Sequence, residues 1–201
     1  PPSTTPAAPT ATPSVVEPSR VSVPGSGSGT TGPVSNISAP SGLPTTSNGG
    51  VTMGPLPAGL TAAEIFDAEA AIEVYRRYWA LSDQALAEPQ RDWSQEAKVV
   101  ANGTAADSLL GDIVSFARDG LHATGHTGVE SSVAKVEPAI VHLTGCVDVS
   151  GTDVINSSGQ SVKVADGPGT YQRFKTSTQI GQVEGGSWLV TVDTFDRAAP
   201  C

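Results

Sequence analysis

The chain has 201 residues, 38% of them apolar, with 20 acidic against 11 basic side chains for a formal charge of −9. So acidic a balance excludes nucleic acid as a natural partner, and no apolar run approaches the length of a membrane-spanning helix. Composition divides the chain near residue 60, since residues 1–60 hold 12 of the 16 prolines, no aromatic residue and only Glu17 and Arg20 as charges.

Residues 1–60 are therefore predicted to be a disordered Pro/Thr/Ser/Gly-rich linker or stalk, because they carry too little apolar surface to offset the entropy of ordering them. As a flexible coil such a segment spans roughly 45 Å, and as a polyproline-like rod at most roughly 190 Å. PAAP at Pro6–Pro9 has no basic residue beside it, so it reads as spacer rather than as a ligand for a proline-binding domain. The chain opens at Pro1 without a charged or apolar leader segment and is expected to be a processed or trimmed mature form, attached to a membrane only through an N-terminal anchor not present in this chain. Three matches to the glycan acceptor pattern, at Asn36, Asn102 and Asn156, are what chance supplies in a Ser/Thr-rich chain.

Thr61–Glu88 reads as one long amphipathic helix. Ile65, Ala68, Ile72, Tyr75, Trp79 and Leu86 form one row and Phe66, Ala70, Val74, Tyr78 and Leu81 widen it. Thr61 with Glu64 makes a capping box and Pro89 supplies the stop. Asp92 with Gln95 offers a short second helix ending at Asn102-Gly103, and Thr104 with Asp107 starts a third that carries Leu109, Leu110, Ile113, Val114 and Phe116 and ends at Gly120. After Gly120 the period changes to two. Strands are predicted over about 127–136, 139–150, 170–181 and 187–196, with a polar excursion from Gly151 to Gly169 that holds a hairpin joining Val154-Ile155 to Val162–Val164. Helices followed by strands, without βαβ alternation, indicate an α+β domain over 61–201 with three N-terminal helices packed on a curved antiparallel sheet.

The residues that carry a resemblance are YxxYW on the long helix (Tyr75, Tyr78, Trp79), a Trp-bearing short helix (Trp93), CVDVS on a strand (Cys146–Ser150), WLV (Trp188–Val190) and the terminal Pro200-Cys201. In combination they resemble the NTF2-like, cystatin-like fold, and within it the small extracytoplasmic lipoprotein domains of actinobacteria and their phages. The long polar insertion after Ser150 departs from that pattern. The resemblance implies a cone-shaped sheet, a surface-tethered protein and, for phage-borne relatives, the exclusion of competing phages.

Cys146 and Cys201 are the only cysteines. Two unrelated thiols of a cytosolic protein are the alternative to one disulfide. A terminal Cys after Pro200 has little reason to be buried, however, and an exposed thiol is a liability in an oxidising compartment. Together with the stalk this favours the bridge and an extracytoplasmic address.

Few residues look reactive. His122 and His126 have helical ligand spacing, but Gly120, Gly125 and Gly128 interrupt any helix there and no acidic or Cys partner lies between them, so they are read as loop histidines and no metal or cofactor is expected. His142 and Asp148 tempt as a base and an acid. Strand alternation instead sends Val141, Leu143, Val147 and Val149 toward the helices and His142, Thr144, Cys146 and Asp148 to the outer face. What remains for a pocket is Tyr75, Tyr78, Trp79, Trp93, Tyr171 and Trp188, with Arg173 as an interior charge. The expectation is a surface-tethered binding or interaction module without catalytic activity, whose partner is an envelope protein or a small apolar ligand and whose contacts are made by the outer sheet face and the excursion 151–169. The alternatives are a small-molecule enzyme (isomerase, dehydratase or hydrolase) using the cone interior, marked by a buried perturbed acid near a tyrosine, and a passive structural protein.

Overall fold

A computed structural model describes residues 50–201. It contains β1 (Val51–Met53), α1 (Ala62–Ala87), α2 (Ser94–Ala97), α3 (Gly103–Asp119), β2 (His122–Gly125), β3 (Gly128–Glu137), β4 (Ile140–Asp148), β5 (Thr152–Ile155), β6 (Arg173–Gln182) and β7 (Trp188–Pro200). The main sheet has the order β1-β3-β4-β6-β7; β1 runs parallel to β3 and every other pair is antiparallel. β2 and β5 form a separate antiparallel pair. The protein is α+β, as expected.

The long helix starts as its sequence dictates. Thr61 Oγ1 accepts the Glu64 N–H and Glu64 accepts the Thr61 N–H at 2.7 Å, so two orphan donors are satisfied together. Its buried face runs from Ala68 to Ala85 and includes Ile72, Val74, Tyr75, Tyr78, Trp79 and Leu81. The first turn overshoots the sheet, leaving Ile65 and Phe66 exposed. α2 is only a four-residue turn, shorter than expected, because after Val100 the chain is drawn into the sheet margin: Asn102 N–H and Val100 C=O both bond Val190. α3 is capped two residues early, by Asn102 rather than by Thr104 with Asp107, while Thr104 Oγ1 donates to Thr191 C=O. Gly120, at φ +65°, terminates it as predicted.

β4 keeps the expected alternation, with Val141, Leu143 and Val147 buried against the helices; Val149 lies just past its end and is half-buried. Two expectations are corrected. The spacer expected over 1–60 lies outside the described residues up to 49, but at 50–60 the chain is already part of the fold: Val51 is buried and β1 pairs with Val129–Ser131 of β3. A parallel edge strand contributed from far along the chain leaves no local periodic signature in three residues. The excursion hairpin forms only a fragment, an Ile155–Ser161 bridge with Val162 N–H bonded to Val154 C=O, while the other edge of β5 pairs with β2. Lys163 Nζ fastens the excursion by donating to the carbonyls of Val149 and Ser150 at 2.8 and 2.9 Å.

Candidate functional site

An aromatic cluster fills the space between α1 and the sheet. Trp79 meets Tyr75, Tyr78 and Phe195 edge to face at 6.3, 5.8 and 5.9 Å, and Phe195 meets Phe174 in the same way at 6.0 Å. Such contacts add to the stabilisation from area burial. Tyr75 is wholly buried, its hydroxyl 3.5 Å from Ser131 Oγ.

Within this cluster sits one acid. Asp193 of β7 is 8% exposed; Thr178 Oγ1 donates to its Oδ1 at 2.7 Å and Thr176 Oγ1 at 3.2 Å. Burial pushes its carboxyl up to about 6, against the pull of the Thr178, Thr176 and Tyr78 hydroxyls. Burial, and then the Asp193 charge, raise Tyr78 in turn. Asp193 Oδ2 and Trp79 Nε1 are both buried with no hydrogen-bond partner among the described residues. Each such orphan costs free energy unless water or a ligand meets it.

Beside the cluster is a cavity of about 100 Å³. Its apolar wall includes Tyr78, Trp79, Leu86, Leu109, Val147 and Phe174, and its polar rim includes Ser82, Asp112 and Arg197. Asp193 is not part of that lining. The Arg197 guanidinium lies 4.6 Å above the Phe174 ring. Asp112 is raised by burial, with Arg197 opposing the shift.

The structure brings together Tyr75, Tyr78 and Trp79 from the expected pocket and disperses the rest. Trp93 is buried elsewhere, its indole donating to Glu88 C=O at 3.0 Å with Arg91 stacked 4.0 Å over the ring. Trp188 is buried at the start of β7, away from the cavity lining. Tyr171 is half-buried in the loop before β6, where its N–H bonds Arg197 C=O. Arg173 is corrected outright: it is exposed and pairs with Glu130 at 2.7 Å on the outer face, because β6 points Phe174, Thr176, Thr178 and Ile180 inward and the residues between them outward. His142 is on the outer face as expected, with its Nε2 3.0 Å from Glu137. His126 lies 3.7 Å from Asp83, and no metal-ligand cluster occurs among the described residues.

Sequence reasoning missed Asp193, Phe195 and Arg197. Simple alternation from the buried Val190 points Val192 inward and Asp193 outward. A bulge reverses this: Ile180 pairs with Val190 but Gln179 pairs with Val192, so Thr191 is an extra residue and Asp193, Phe195 and Arg197 turn to the helix side. The available signal was the run Thr191-Val192-Asp193-Thr194, in which strict alternation leaves Phe195 on the solvent face.

On the outer face, Ser132, Thr144, Ser177 and Thr194 are direct cross-strand partners, making a row of four hydroxyls over β3, β4, β6 and β7. Beside it the Cys146–Cys201 disulfide, Cα atoms 6.1 Å apart, ties the chain end across β6 to β4. An open groove of about 690 Å³ runs there, lined also by Lys175 and Asp196.

Fold and site together define an α+β protein with helices on one face of a mainly antiparallel sheet and a small aromatic cavity between them. No protein-family model and no curated protein matches the chain. Among solved structures, the intermembrane-space region of the chloroplast protein ARC6 is similar at 14% identity over 65% of this chain and 97% of that one, with a TM-score of 0.47. Aln2 from a Streptomyces species is similar at 14% identity over 71% of this chain and 94% of that one, with a TM-score of 0.44. Likenesses of this degree carry neither activity nor partner over to this chain.

Proposed function

We propose that the chain is an NTF2-like, lipoprotein-type binding module of an extracytoplasmic compartment, carried on its N-terminal stalk and taking a small, mainly apolar ligand into its interior. The cavity of about 100 Å³ walled by Tyr78, Trp79, Leu109 and Phe174 carries the reading. Apolar walls with a few polar groups at the rim are the usual make-up of a ligand site, though this one is well below the ~300 Å³ of drug-sized pockets. Asp193, the one acid with chemistry to offer, is held by two threonines behind that wall. The disulfide supports the address, since such bonds persist in oxidising compartments. The open groove beside it is the place for an envelope-protein partner.

The test is a titration of the disulfide-intact chain with isobutanol, followed by the indole N–H resonance of Trp79. Saturable shifts at Trp79 and Phe174 that vanish when Ser82→Leu fills the cavity are expected; an unmoved spectrum rejects the reading. One observation favours catalysis instead: Asp193, with its carboxyl near 6 and Oδ2 unpaired, stands beside Tyr78. Under that reading an isomerase, dehydratase or hydrolase turnover, found on a panel of small carbonyl and ester substrates, disappears in a folded Asp193→Asn variant.

A further inference from the structure

We propose that the interior cavity selects a small monocarboxylate, its apolar end among Trp79, Leu109 and Phe174 and its carboxylate on Arg197. The inference deepens the binding-module reading and rests on it. Arg197 reaches the cavity because the bulge at Thr191 turns this stretch of β7 inward. Arg197 is an exposed residue whose guanidinium lies over the Phe174 ring, 4.6 Å from its centre, and that contact narrows the directions its fork of donors can take before any ligand arrives. Among the described residues no carboxylate comes within ion-pair distance of it. The backbone is also held: Tyr171 N–H donates to Arg197 C=O at 3.2 Å, and four residues on Cys201 is bonded to Cys146. A preformed, unpaired guanidinium at the rim of an apolar cavity matches a ligand with one planar anionic end. A cationic ligand would meet Arg197 head-on, and an uncharged one would leave it unused.

Size sets the rest. A cavity of about 150 Å³ with apolar walls takes benzene, so this one, at about 100 Å³, accommodates roughly four or five carbons. Phe195, 40% exposed, is the neighbouring aromatic with solvent to move into. Asp112 is the opposing group on the rim, exposed and outside ion-pair distance of Arg197.

The experiment compares 3-methylbutanoate with its neutral isostere 3-methylbutanamide on the full, disulfide-intact chain, reading the Trp79 indole N–H and the amides of Leu109 and Phe174. The carboxylate is expected to bind at least about tenfold more tightly, as a charge-assisted pair allows. That preference should collapse in Arg197→Gln, persist in part in Arg197→Lys and grow in Asp112→Asn. Equal affinities for the two probes in the unmodified chain overturn the carboxylate assignment while leaving the binding module in place, and need no variant that folds. Absence of saturable shifts from either probe overturns both.

Discussion

Asp193 and Asp148 stand on opposite faces of the same sheet and show what each face does to a carboxylate. Asp193, among aromatic rings, is pushed up to about 6 by burial. Asp148, on the outer face, accepts the Ser150 N–H at 2.8 Å and is held below the usual range by the Ser150 side chain and then by that backbone bond. The inner face holds the fold together by excluding water from Tyr75, Trp79, Phe174 and Leu143. The outer face is solvated, and its main contribution to stability is one covalent tie between β4 and the chain end. The same strands serve both, so position relative to water, and not residue type, decides each group's behaviour.

The contrast breaks most visibly with Trp79→Ala, which should cost roughly 3–5 kcal/mol in denaturant unfolding, as truncating a buried aromatic does. A loss near zero would mean that the cluster is loosely packed. On the outer face only the disulfide should approach that size. Cys201→Ser opens a loop closed over a sequence separation of 55, worth about 4 kcal/mol in the chain-entropy model and typically 2–5 when a native bridge is lost. Both thiols should resist alkylation until a reductant is added.

Asp193→Asn sharpens the comparison through pH. The folded protein binds the Asp193 proton more tightly than the unfolded chain, with its carboxyl at about 6 against 3.8. The stabilisation linked to that proton is fully present below about pH 4 and is lost as pH rises through about 6. The asparagine variant should therefore match the unmodified protein near pH 4 and exceed it by about 3 kcal/mol at pH 8. A pH-independent difference would place Asp193 in water. The smallest effects belong to the hydroxyl row: Thr144→Ala and Ser177→Ala should each stay within about 0.5 kcal/mol, and a larger loss would show that the outer face packs against something.

Much was settled locally. The capping box at Thr61, the stop at Pro89 and the left-handed terminator Gly120 act over one helical turn, so the sequence alone determined where α1 and α3 begin and end to within two residues. Period-two patterning likewise determined β3, β4 and β6 and the inward set Val141, Leu143 and Val147, and an even cysteine count near a chain end pointed to the bridge that is observed. Tertiary structure decided the rest. Residues 51–53 become a strand only because the edge of β3 is free to receive them, and β5 finds its longer pairing with β2 rather than with the excursion's own return. The candidate site depended on the same kind of decision. One extra residue at Thr191 reverses the phase of β7, sending Asp193, Phe195 and Arg197 to the cavity side while Arg173 stays in solvent. A side-chain period of two carries no memory across a bulge, and where the bulge falls is set by how β7 must pair with β6 while holding Val100 and Asn102 through Val190.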